Sequence, residues 1–213
     1  MIIYHPYSTT PETLSRQVET WTVLNSISSQ VIHKPCLTEN DYEQGLLELW
    51  GKDDICIVEH DIVPTLEMIV SLEHCPHPLC AQAYRLSVHN MTDDTFKMVL
   101  PELKRLMASG ISIPAPWDKI IRLQIYLADT GEKTVIAHRK AVGGIWEWMN
   151  RGDEWADFAG FGLAKISLDF QKKHSPGWQP GTWRDLDSRF SNWVKELGYN
   201  WHIHWPEAKH NHL

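Results

Sequence analysis

The sequence has no run of like charge longer than two residues, no apolar stretch approaching the about eighteen residues of a membrane span, and no internal repeat or low-complexity tract. The first absence, with a net charge of −7, leaves no clear electrostatic footprint for nucleic acid. The second argues against a membrane span. The opening Met-Ile-Ile-Tyr-His-Pro carries no basic segment leading into an apolar one, so a soluble, cytoplasmic protein is expected. Cysteine is also scarce. Cys36, Cys56, Cys75 and Cys80 read as reduced thiols rather than a disulfide framework. Cys75 and Cys80 bracket His77, which hints at zinc. Their spacing is wider than a two-residue knuckle, no second cysteine pair follows, and Pro76 and Pro78 stiffen the segment, so zinc is not expected there.

Large apolar residues are well represented. A hydrophobic share of 43% and a charged share of 22% over 213 residues suit one well-buried core and a single domain. Tryptophan stands out with 11 copies, most of them between Trp146 and Trp205. Indoles suit cores first, though their flat faces also suit sugar rings.

Local patterns predict alternating strands and helices. Ile2 to Tyr4 is β-prone and closed by His5-Pro6-Tyr7, Pro11 opens an apolar-periodic helix reaching Leu24, and Val31 to His33 suits a second strand. Tyr42, Leu46, Leu47 and Trp50 share one face of a helix from Glu39 to Trp50, capped by Gly51. Ile55-Cys56-Ile57-Val58 is the continuous apolar run of a strand covered on both faces, and it stops at Glu59-His60-Asp61. Further helices are expected at Pro64 to Leu72, at Thr92 to Met107 with Pro101 as a candidate break, and at Leu186 to Leu197 capped by Gly198. Strands are expected at Leu79 to Ser87, Ile120 to Tyr126, Phe161 to Ile166 and Trp201 to His204. A turn is expected at Asp129-Thr130-Gly131, and a Pro/Gly loop at His174 to Gly181.

Strand, acidic turn and helix in that order put Glu59 and Asp61 at a strand's carboxyl end, where open α/β sheets place ligands. Two carboxylates there suit a hard divalent cation, which takes its remaining oxygens from phosphate and water. The alternative is a solvated turn leading into the next helix.

Gly160-Phe161-Gly162-Leu163, Trp183-Arg184-Asp185-Leu186-Asp187-Ser188-Arg189-Phe190, Gly198-Tyr199 and His210 fall in an order that resembles family-2-like glycosyltransferases of the GT-A fold. In those proteins a glycine-rich lead into a strand precedes an acidic Glu-Asp-x-Asp-type helix start, a Gly-Tyr and a late histidine. Val58-Glu59-His60-Asp61-Ile62-Val63-Pro64, followed by Cys75-Pro76-His77-Pro78-Leu79-Cys80, is similar to small glycosyltransferase-like proteins of phage and bacterial genomes. The resemblance covers Ile2 to Leu86 and Gly160 to His212. Residues from about 87 to 158 have no counterpart and form a central insertion or acceptor-side region. The implied fold is a GT-A-like, Rossmann-like mixed sheet flanked by helices. The implied activity is metal-dependent transfer of a hexosyl or pentosyl group, with inversion, from a nucleotide-sugar donor.

The resemblance also implies roles. Glu59-His60-Asp61 would stand for an Asp-x-Asp-like motif, with Asp61 the ligand of Mn²⁺ or Mg²⁺. Glu59, longer by a methylene, would reach the donor's ribose or a metal-bound water. His210 would complete the metal site, with His204 and His212 as competitors. Asp185 matches the general base, but Arg184 stands where the family has Glu, so Asp187 is the alternative; helix capping is the remaining role for either. Pro6 and Tyr7 follow the first strand where such folds meet the nucleotide base, and Trp183 would offer a platform to the acceptor sugar. Arg16 and Arg139 are candidates for the diphosphate. The acceptor stays open among glycan, small molecule and nucleobase. Two other functions also stay open. One is a non-catalytic nucleotide-sugar or glycan-binding domain; the other is a metal-dependent phosphohydrolase or nucleotidyltransferase, which the scarcity of carboxylates near Asp61 disfavours.

Overall fold

A computed structural model describes residues 1–9, 11–27, 30–87, 94–110, 125, 134–142, 145–178 and 186–210. At its centre is the apolar run Ile55–Val58 (β3), buried at all four positions. Ile2–Ser8 (β1) pairs with it in parallel and Leu163–Ile166 (β10) antiparallel. Side chains alternate across a strand, so Ile55 and Ile57 enter one hydrophobic core while Cys56 and Val58 enter the other. This explains why the run shows no polar alternation.

Beyond β1 the sheet continues to Gln30–Cys36 (β2). Beyond β10 it passes through Leu79–Ser87 (β5) and Trp201–His210 (β11) to Ile62–Val63 (β4). Thr134–Ile136 (β6) adds to β5 and Trp155–Ala156 (β9) to β11, making nine strands among the described residues. Arg139–Val142 (β7) and Ile145–Trp148 (β8) form a separate antiparallel pair. In the main sheet β2, β1, β3, β5 and β11 run one way and β10 the other. The carboxyl ends of β1, β3 and β5 therefore share one edge. The result is a single α/β domain with a mixed sheet flanked by helices.

Six helices are described: Pro11–Asn25 (α1), Glu39–Leu49 (α2), Leu66–Glu73 (α3), Asp94–Ala108 (α4), Leu168–Lys173 (α5) and Leu186–Glu196 (α6). Thr38 caps α2 through a reciprocal pair of bonds with Asp41, at 3.2 and 2.9 Å. Thr65 and Ser167 cap α3 and α5. Gly51 and Gly198, after α2 and α6, take φ of 78° and 81°, the left-handed conformation that ends helices. Trp50, Phe170, Trp178, Phe190 and Trp193 pack edge to face on one side of the sheet, with Trp50 and Trp178 centred 5.4 Å apart. Most tryptophans in this half of the fold thus serve the core.

Several boundaries differ from the sequence reading. β1 continues through Pro6 and Tyr7 to Ser8 because β2 runs alongside it in register. α4 is continuous across Pro101. β10 starts at Leu163 rather than Phe161, and β11 runs on to His210 through a register shift between His204 and Ala208. The buried Gln82 amide donates to the carbonyls of His204 and Pro206 within that shift. β6, β7 and β8 were not foreseen. The strand expected at Ile120 to Tyr126 lies outside the described residues except Ile125, which is helical, and the Asp129 turn lies outside them altogether.

The helices on this side are tied by a buried ion pair. Glu43 on α2 accepts from Arg189 Nη2 on α6 at 3.0 Å and from Trp178 Nε1 at 2.7 Å, with both charged side chains under a tenth exposed. Glu43→Ala removes the acceptor of two buried donors and is expected to cost about 3 kcal/mol or more in denaturant unfolding. Glu43→Gln, which keeps one oxygen, should cost less.

Candidate functional site

At the end of β3 the chain leaves the sheet under tight backbone control. Glu59 N donates to Gly162 O at 2.8 Å, and Ile62 N donates back to Glu59 O at 3.2 Å, closing the turn. Thr20 on α1 donates from its hydroxyl to Ile62 O at 2.9 Å and reaches His60 O at 3.2 Å. His5 Nδ1 sits 2.8 Å from Val58 O. A donor from α1 and one from β1 therefore hold the carbonyls on either side of Glu59 and Asp61.

Over this turn lies a cleft of about 280 Å³ whose polar wall includes Glu59, Asp61, Asp187, Tyr42, Tyr84 and Arg139. Asp61 is only 9% exposed. Asp187 comes from the first turn of α6. Tyr42 on α2 donates its hydroxyl to Glu59 Oε1 at 3.1 Å. Tyr84, near the carboxyl end of β5, lies over Gly160 and Gly162: a Cβ on Gly162 would stand 2.7 Å from its ring, and one on Gly160 2.2 Å from its hydroxyl. The glycines of Gly160-Phe161-Gly162 are thus required by Tyr84. Arg139 on β7 holds its guanidinium 3.9 Å from the centre of the Phe158 ring and 5.5 Å from that of Trp148.

The two phenols stay protonated. Burial raises both far above the ordinary tyrosine value; for Tyr42 the charge of Glu59 adds to it, and for Tyr84 those of Glu59, Asp187 and Asp61 do. Three carboxylates close enough to act on one phenol form a concentrated negative site. Their oxygens are the ligand type that Mg²⁺ and Mn²⁺ take.

Asp61, Glu59 and Asp187 therefore line one cleft. Asp185 and Trp183 lie outside the described residues, as does the side chain of Arg16. The backbone of His210 pairs with Ile62, next to Asp61, while His212 lies outside the described residues. His204 is removed as a competitor: it bonds Ser71 and His202, at a part of β11 separated from the acidic turn by the register shift. Pro6 and Tyr7 are not among the cleft's lining residues; Tyr7 packs against Trp21, with centroids 5.3 Å apart, and against His5. No signal in the sequence marked Tyr42, Tyr84 or Phe158, whose roles arise only from what lies opposite them. The scarcity of carboxylates near Asp61 is also corrected, since Asp187 and Glu39 line the same cleft.

No family model matches the chain, and no curated protein matches it significantly. Among solved structures, the crystal structure of A197 from STIV is similar, with a TM-score of 0.50 and 12% identity, covering 96% of this chain and 82% of that one. The likeness is one of fold. Among the described residues no helix is long and apolar enough to cross a membrane.

Two buried histidines flank the site. His138 Nε2 lies 3.0 Å from Gln82 O while its Nδ1 accepts from Gly160 N at 3.3 Å, and burial lowers it to about 4; burial likewise lowers His5 to about 4. Both are neutral when folded, whereas in the unfolded chain each titrates near about 6.5. Between those values the unfolded chain binds more protons, so stability rises as pH rises and is lost as pH falls. The contribution is complete above about pH 6.5 and is lost toward about pH 4, on the order of 3 kcal/mol for each histidine. Denaturant unfolding across this window should show the loss, and His138→Gln should flatten it.

Proposed function

We propose that the protein transfers a sugar from a nucleoside-diphosphate donor to an acceptor hydroxyl or amine in a metal-dependent reaction with inversion, on a GT-A-like scaffold. The observation that carries this reading is the cleft at the carboxyl end of β3, in which Glu59, Asp61 and Asp187 meet Arg139. The residue order that resembles family-2-like glycosyltransferases supports it, as does the register that sets the backbone of His210 beside Ile62.

In this reading Asp61 is the principal ligand of Mn²⁺ or Mg²⁺, assisted by Glu59 and His210. When bound, the ion supplies charge neutralisation at the departing diphosphate. Tyr42, held protonated, orients Glu59 by donating to its Oε1. Arg139, packed against Phe158 and Trp148, offers a cation to the phosphates. Asp187 takes the acceptor's proton at its carboxylate from the α6 side of the cleft, with Asp185 the other candidate from the same segment.

Asp61→Ala should abolish donor hydrolysis and Mn²⁺-dependent donor binding in calorimetry while leaving the folded state intact. Unchanged donor binding would sink the metal assignment. Asp187→Asn should leave donor binding in place and lower turnover by about 10²-fold or more; a full rate in this variant would move the base to Asp185.

The carboxylates that join Asp61 in the cleft favour one second reading, a metal-dependent phosphohydrolase. Release of inorganic phosphate from simple nucleotides, with no sugar transferred, would select it. A thermal-shift screen of nucleotide sugars with and without Mn²⁺ provides the starting donor, since a ligand of the native state raises Tm.

A further inference from the structure

A second polar cluster lies at the other end of β5 and β11. Cys75 follows α3, with its amide bonded to Leu72 O at 3.2 Å, and Cys80 is the second residue of β5. His202 and His204 sit two apart on β11, hence on one face, and His202 is in register with Cys80. Cys56, Lys165, Cys80 and His202 make a continuous row across β3, β10, β5 and β11, where a buried sheet would ordinarily carry apolar side chains.

We propose that Cys75, Cys80, His202 and His204 form a closed tetrahedral site for a structural zinc ion. The donor atoms of these four residues all lie within 4.8 Å of one another. With Zn–N of about 2.0–2.1 Å and Zn–S of about 2.3 Å, a tetrahedron has N–N edges of about 3.4 Å and N–S edges of about 3.6 Å. His202 Nδ1 lies 3.2 Å from His204 Nε2 and 3.6 Å from Cys75 Sγ. These two separations match tetrahedral edges, and all four donor atoms lie within 4.8 Å of one another. Four protein ligands leave no open position, which is the mark of a structural rather than a catalytic ion.

The surroundings orient the ligands. Ser71 Oγ lies 2.7 Å from His204 Nδ1, so a proton held there directs the Nε2 lone pair at the centre. Lys165 is only 2% exposed and donates to Cys75 O at 2.7 Å. Bound to zinc, Cys75 and Cys80 would act as thiolate ligands. The expectation from spacing, that this cysteine pair would not bind zinc, is therefore revised. The missing second pair is histidine, and it comes from a strand more than a hundred residues away in sequence.

The test uses the full-length protein purified without chelator. Elemental analysis should find about one zinc ion per chain, and Asp61→Ala should keep it while Cys80→Ser and His204→Ala lose it. Stripped protein reloaded with Co²⁺ should show the visible bands of a tetrahedral ion and thiolate-to-cobalt charge transfer in the near ultraviolet. The cobalt spectrum of the native sequence decides the matter even if the variants fail to fold. Metal-free protein whose Tm does not respond to zinc, a Cys75–Cys80 disulfide, or an octahedral cobalt spectrum without charge transfer would overturn the proposal.

Discussion

β3 is hydrogen-bonded on both sides and buried on both faces, so its direction and end point are not free to vary. The last sheet bond at that end, Glu59 N to Gly162 O, marks where the chain must leave the sheet. Everything in the candidate site depends on this exit. Thr20 and His5 hold the carbonyls around the turn, and Tyr42 holds the Glu59 carboxylate. A strand this constrained presents two acidic side chains in a fixed place, which a solvated loop does not.

Around that point the fold gathers groups that raise one another's electrostatic demands. Three carboxylates act on the phenol of Tyr84, and the cation that shares their cleft lies against the rings of Phe158 and Trp148. The glycines of Gly160-Phe161-Gly162 leave room for the Tyr84 ring, so a motif that reads as backbone flexibility serves side-chain packing here. β5 and β11 then link the two polar regions of the molecule. Each carries part of the Cys/His cluster near its amino end, while Tyr84 and the backbone of His210 lie toward the acidic turn.

Much of the framework was legible locally. The apolar run of β3, the limits of β5 and the glycine stops after α2 and α6 follow from patterns a few residues long, because burial on both faces and helix termini impose strong local demands. The strands β6 to β8 and the extension of β11 were not legible in the same way. Short strands owe their existence to a partner, and the register shift in β11 is held by Gln82, from another strand.

By itself the sequence determined that a buried strand ends in Glu59-His60-Asp61 and that an acidic helix start and a late histidine follow far downstream. Those facts depend on composition and order. Only the tertiary structure decided that Asp187 shares the cleft with Asp61, that His204 belongs with Cys75 and Cys80, and that Arg139 faces the acids. Convergence of side chains from distant segments is set by strand order and register, and these are properties of the assembled sheet rather than of any stretch of chain.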